Sequence, residues 1–343
     1  MFPEKKTNPV KACLMLLLAT VFWGSSFVVM KALGQHQEQI LPGVSSWFVS
    51  STSMVVRFGL AAVVLVLWNF RSLGRITRSE IRQGAGLGFF GGVGIFFQMD
   101  GVMHTAASTS AFLTQCYCIF IPIFVAWRKR AWPAKLVALS CIMVLAGVGV
   151  LSEFNWHELR MGRGEWEAVL ASVFFTAQIL WLERPTFSAN KSSHTSLVMF
   201  AAIALPLLPV ALLKAGGARE ILVAYQTPTA LISIASLTIF CTLMSYGLMN
   251  FWQPQISATS AGLIYCSEPL FTSLFALFLP GIFSTLAEIH YANELVTPRL
   301  LLGGGLITAA NILIIVQAAL AKPALICVPE RKTFAPAKAT VVN

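Results

Sequence analysis

Residues 109–116 read TSAFLTQC and residues 259–266 read TSAGLIYC, so Thr, Ser, Ala, Leu and Cys recur at a spacing of 150. Two further matches keep the same order along the chain. LATVFW at 18–23 resembles LASVFF at 170–175, a spacing of 152. WPAKLVALSCIMVLAG from 132 aligns with TPRLLLGGGLITAAN from 297 through Pro133 and Pro298, a spacing of 165. One apolar octet can recur by chance; three ordered matches indicate a duplicated unit. The growth of the spacing from 150 to 165 locates an insertion of about 15 residues at 281–294, around GIFSTLAEIHYAN.

The composition says where such a unit resides. Hydrophobic residues make up 57% of the 343 and charged ones 11%, against about 25% charged in a soluble domain. A helix needs roughly 20 apolar residues to cross a bilayer. Ten segments qualify as spans: 11–33, 49–70, 84–103, 106–127, 134–152, 166–184, 195–214, 229–251, 257–280 and 299–320. The first lacks a small-residue cleavage site and contains Trp23, so it reads as a span rather than a signal peptide. Each copy of the unit holds five spans, and an odd number makes the second copy enter from the opposite face. The expected fold is an all-α integral membrane protein with ten transmembrane helices as two inverted five-helix repeats. The repeats cover 11–152 and 166–320, followed by a short cytoplasmic tail, 321–343. Inverted repeats of this kind hold substrate near the midplane between them.

The formal charge of +10 needs no nucleic acid to explain it. With the N-terminus in the cytoplasm, seventeen Lys and Arg fall on the inner side and six on the outer, with Arg57 inside a span. That asymmetry places both termini in the cytoplasm of a cell membrane. Six of the seven cysteines fall in spans and no CxxC pair occurs, so they read as small apolar residues. The five histidines lack metal-ligand spacing. No metal, cofactor or catalytic constellation is expected. GLGFFG at 86–91 fits a dinucleotide fingerprint in letters only: no strand precedes it and no acidic residue follows at the required distance. Gly84, Gly88 and Gly92 stand four apart and mark a face for close helix contact.

The chain resembles the EamA-type transporters of the drug/metabolite transporter superfamily. The resemblance is carried by LLLATVFWGSSFVVMKAL (16–33), VVRFGLAAVVLVL (55–67), FQMDGVMHTAASTSAFLTQCYCIFIPIF (97–124), ISATSAGLIYCSEPLFTSLFALF (256–278) and NELVTPRLLLGGGLI (293–307). It implies ten helices in two inverted repeats that move small metabolites through a central cavity. Two departures stand out. The acidic residue often found after the ninth span comes late, as Glu294, and the first half carries Arg128, Lys129 and Arg130 at the corresponding place.

A charge at the bilayer centre costs about 2.5–3.5 kcal/mol on insertion scales, so intramembrane charges should face the interior. Arg57 is the clearest. It reads either as a ligand for a substrate carboxylate or as a helix tie through backbone carbonyls. Its counterpart region, ALPLLPV, has no cation, so a cavity it lined would favour anionic or zwitterionic ligands. Glu268 precedes Pro269, which leaves the Tyr265 carbonyl without a ladder donor. It reads either as a proton-carrying group for a coupled cycle or as hydrogen-bonded helix glue. Asp100 lies near the outer end of its span, and Glu183 with Arg184 reads as an interfacial ion pair. The uncharged substrate-pathway candidates are Trp23, Ser26, Gln98, Gln115, Tyr117, Gln178, Trp181, Tyr246, Asn250 and Tyr265. As a group they suggest a pocket of aromatic walls with polar tips; singly, each is equally a packing residue.

The leading reading is a secondary transporter, an exporter or exchanger of small metabolites such as amino acids or drug-like compounds, working by alternating access, with protons as the candidate coupling ion. It is not expected to be an enzyme. Its partners are a small-molecule substrate and the lipid bilayer. An intramembrane enzyme acting on lipid-linked substrates would need clustered His, Asp or Glu at one depth. A passive channel would move solute without accumulating it.

Overall fold

The computed structural model describes residues 8–320 except 105–109, 111, 112, 131, 133, 152–161 and 216. Among the described residues the chain is helical throughout, without strands. α1 (Pro9–Ile40) opens with Pro9 at its first position, and the Asn8 side chain accepts from the Lys11 N–H at 3.0 Å. α2 (Ser46–Trp68) is capped by Ser45 and leads through a 3₁₀ turn (Phe70–Arg75) into α3 (Arg78–His104). α4 (Tyr117–Lys129), α5 (Lys135–Leu151) and α6 (Arg163–Leu182) follow. The rest of the chain forms α7 (Ser192–Lys214), α8 (Ala218–Tyr225), α9 (Pro228–Thr238), a π-helical segment (Ile239–Met244) and α10 (Ser245–Trp252). The last elements are α11 (Ala258–Tyr265), α12 (Glu268–Ala276), α13 (Leu279–Ala287) and α14 (Pro298–Leu320).

Among the described residues, five helical stretches are long and apolar enough to cross a membrane: α1, α2, α7, Pro228–Gln255 and Pro298–Gln317 of α14. A sixth is added if α11 to α13, bent by 56°, counts as one. α5 is apolar but shorter. α3 and α6, expected as spans, do not pass on their own, since Arg, Glu, Gln and Gly dilute their apolar residues.

The two octets that share a pattern sit beside interruptions. Leu113 and Thr114 are helical, a turn at Gln115–Cys116 follows, and α4 begins at Tyr117. In the other copy a turn at Cys266–Ser267 separates α11 from α12. Both turns close with i→i+3 bonds, Cys116 N–H to the Leu113 carbonyl at 3.2 Å and Ser267 N–H to that of Ile264 at 3.0 Å. The uninterrupted segments expected at 106–127 and 257–280 are therefore broken. Proline follows each break. Pro122 frees the Cys118 carbonyl, which the Cys141 thiol approaches at 3.6 Å. The insertion is also structured: α13 buries Phe283 and Ala287 while Ile282 and Leu286 stay exposed, and the Ser284 hydroxyl holds the following loop at Ile289 and Tyr291.

α3 has the closest neighbours. A Cβ on Gly84 would lie 2.6 Å from Val198, one on Gly88 2.6 Å from Ala202, and one on Gly92 3.1 Å from Ile203, so the expected glycine face is the seam with α7. On its other side, Gly86, Gly91 and Gly94 admit Trp181, Gln178 and Phe175 of α6. Both ends of this group are tied by buried carboxylates. Asp100, 1% exposed, accepts from Ser46 Oγ at 2.9 Å, from Trp47 Nε1 at 3.1 Å and from Arg163, so it joins α2, α3 and α6 rather than reaching headgroups. At the opposite end Glu80 accepts from the N–H groups of Thr77 at 2.7 Å and Lys191 at 3.0 Å and lies 3.2 Å from His194 Nδ1. Thr77 and Glu80 form a reciprocal capping box.

Two predictions follow from these contacts. Gly88→Val forces α3 and α7 apart and is expected to cost about 1–3 kcal/mol, whereas Gly305→Ala, with nothing within 4 Å, leaves the detergent melting temperature unchanged. Burial pushes the Glu80 carboxyl up, yet the backbone N–H groups of Thr77 and Lys191, with His194 and the Thr77 hydroxyl, hold it below its ordinary value. Its contribution is thus complete above the ordinary carboxylate pKa and is lost as pH falls through the lowered one. Glu80→Gln should lower the melting temperature at neutral pH and flatten its decline in acid.

Candidate functional site: a central cavity

A cavity of about 80 Å³ lies at the middle of the bundle. Its lining is paired across the two halves. Trp23 and Phe175, Ser26 and Gln178, and Phe27 and Ile179 stand 152 residues apart. Ile95 and Tyr246, Gln98 and Met249, Thr114 and Tyr265, and Tyr117 and Glu268 stand 151 apart. Only Met30 and Arg57 lack a counterpart in the lining. The same helical positions of α1 and α6 and of α3 and α10 therefore face one space, and the two broken helices join them with pairs one residue off the spacing of 150 that aligns the octets.

Arg57, 5% exposed, reaches from α2 to the π-helical segment. Its Nε donates to Thr242 Oγ1, its Nη2 to the Cys241 carbonyl at 2.6 Å, and its Nη1 approaches Met30 Sδ at 3.6 Å. The Thr242 hydroxyl in turn donates to the Leu237 carbonyl at 3.0 Å, and Ser245 Oγ also donates to that of Cys241 at 2.7 Å. A π-turn displaces carbonyls from the regular ladder, and here the guanidinium takes one of them.

Glu268 occupies the first position of α12, where the helix N-terminus favours negative charge. Gln115, from the break in the other copy, hydrogen-bonds to it. Arg57 and Glu268 line the same cavity without forming an ion pair within 4.0 Å. Trp23 packs edge-on against Tyr246 and Tyr265, with centroids 5.3 Å apart in each case. Tyr265 donates to Gln253 at 2.9 Å, and Gln253 donates to the Ile179 carbonyl at 2.8 Å. The Trp23 N–H and the Thr114 hydroxyl are buried without a protein partner.

The structure brings Trp23, Ser26, Arg57, Gln98, Tyr117, Gln178, Tyr246, Tyr265 and Glu268 together in this lining. Gln115 lies behind Glu268 instead of on the surface of the cavity. Trp181 and Asn250 stand elsewhere. The Trp181 N–H donates to the Gln83 carbonyl at 3.2 Å, and Asn250 donates to Ser196 at 2.8 Å. Glu183 and Arg184 do not pair with each other: Glu183 accepts from the Ala258 N–H at 3.1 Å and Arg184 lies over the Trp181 ring. Phe27, Met30, Ile95, Thr114, Phe175, Ile179 and Met249 complete the wall. Helical spacing of three, four or seven from the polar candidates would have found all of these but Ile179.

Apolar helices of this number around a cavity carrying an arginine and a glutamate define a multi-pass membrane protein. Residues 10–153 match the model of the EamA-like transporter family. An uncharacterized transporter of Archaeoglobus fulgidus is 25% identical over 307 residues, covering 87% of this chain and 84% of its own. A protein of known crystal structure shares the fold with a TM-score of 0.64 at 15% identity, over 91% of this chain and 99% of its own.

Thr242→Val keeps the side-chain shape but leaves Arg57 Nε without its acceptor. A buried group so orphaned costs about 1–3 kcal/mol, and the detergent melting temperature should fall accordingly, with Thr242→Ser restoring most of it.

Proposed function

We propose that the protein is a secondary transporter working by alternating access, an exporter or exchanger of small metabolites that bind between Arg57 and Glu268. The observation that carries this reading is the paired lining: seven pairs of positions, at spacings of 151 or 152, contribute to one cavity. Such pairing is what two inverted five-helix repeats, 11–152 and 166–320, generate around an axis in the membrane plane. Two packing relations support the same arrangement, because the second spans of the repeats, α2 and α7, pack together, as do the fifth, α5 and α14. In this reading residues 321–343 form a cytoplasmic tail and both termini face the cytoplasm of a cell membrane, following the placement of Lys and Arg. The breaks beside Thr114 and Tyr265 are the segments about which the cavity opens to either side. Glu268 is the group that binds the coupling proton.

The reading is tested by uptake of a mixed metabolite pool into proteoliposomes, with and without an imposed pH gradient, followed by mass spectrometry. Accumulation above equilibrium that needs the gradient, and that is lost in Glu268→Gln, is the expected result. Equilibration without accumulation would replace a coupled transporter with a facilitator or passive channel, and chemical change without movement would favour an intramembrane enzyme.

A further inference from the structure

Arg57 brings to the cavity donors that its described bonds leave over. A guanidinium carries five N–H groups and no acceptor, and the described bonds of Arg57 use three of them. The single carboxyl in the lining, Glu268, already receives Gln115. Spare guanidinium donors favour a ligand that brings charged acceptor oxygens. The wall beside them is aromatic, which suits a compact apolar body.

Charge decides the rest. With Glu268 ionised, Arg57 and Glu268 sum to zero; with Glu268 protonated, the lining is +1. An anion held by Arg57 is repelled by an ionised carboxylate in the same cavity and not by a neutral one. By linkage, anion and proton then raise each other's affinity by equal factors. The other charged or titratable groups facing Glu268 are Arg57 from α2, Cys241 from the π-helical segment, Tyr246 from α10 and Tyr117 from α4. Phenols and thiols are ordinarily neutral below pH 8, so Glu268 is the group that switches the cavity charge. We infer that the substrate is a compact monovalent organic anion, a carboxylate or sulfonate, bound together with one proton on Glu268. This rests on the transporter reading above and narrows it, since a zwitterion would bind with Glu268 ionised and a cation would be opposed by Arg57.

The probes are propane-1-sulfonate, which stays anionic at any accessible pH, taurine as its zwitterionic analogue and propylammonium as a cation. Their affinities for the purified protein are measured by thermal-shift titration in acidic and alkaline buffers. Calorimetry in buffers of different ionisation enthalpy counts protons taken up on binding. Propane-1-sulfonate is expected to bind tightest, to weaken by up to about tenfold per pH unit as Glu268 ionises, and to take up one proton in the alkaline range. Glu268→Gln should hold the acid affinity at every pH. Preference for taurine or propylammonium, or sulfonate binding by the native protein without pH dependence or proton uptake, would overturn the inference; these measurements need no variant to fold. Exchange of labelled sulfonate across proteoliposomes separates the two readings. The expected binding pattern without exchange supports the anion site and removes the transporter assignment.

Discussion

A bilayer offers no water to backbone groups, so every N–H and carbonyl at depth must find a partner within the protein. This chain departs from a regular helical ladder at three places near its centre, and each departure is matched by a polar side chain. The π-helical segment offers a carbonyl that Arg57 and Ser245 occupy. The turn at Gln115–Cys116 presents Gln115 to Glu268, and the turn at Cys266–Ser267 places Glu268 at a helix N-terminus. Irregular backbone is tolerated here because it faces the protein interior. The same irregularity supplies the site with its chemistry.

The cavity is nearly two-fold in its numbering and not at all two-fold in its charge. The paired positions provide aromatic and amide-bearing walls, and α2 then contributes a cation, α12 an acid. Met30, the other lining residue without a counterpart, touches Arg57. The two unmatched positions thus form one contact, so the departure from symmetry is local. A symmetric site would present like charges across the axis; this one presents opposite charges kept apart, each held by neutral groups.

Much of this could be read from the residues. Charge scarcity defined the membrane class, the octets and their companions suggested a duplication, and Arg57 and Glu268 declared themselves as charges in apolar runs. The glycine face at Gly84, Gly88 and Gly92 followed from its spacing and meets α7 as anticipated. What escaped were features without a compositional signature. A single i→i+3 turn leaves hydropathy unchanged, so the breaks at Cys116 and Cys266 were invisible within smooth apolar segments. The partners of Asp100 lie at Ser46, Trp47 and Arg163, separations that no local pattern connects. Trp181 and Asn250 resemble the lining residues in type and face other helices because helical phase, a matter of a few positions, decides which side they take.

The glycines along α3 also bear on how the protein comes to be made. Arg, Glu, Gln and Gly dilute the apolar residues of α3 and α6, and the two helices are packed against each other through Gly86, Gly91 and Gly94. The close seat of α3 thus waits on a neighbour synthesised about sixty residues later, since α3 ends at His104 and α6 begins at Arg163.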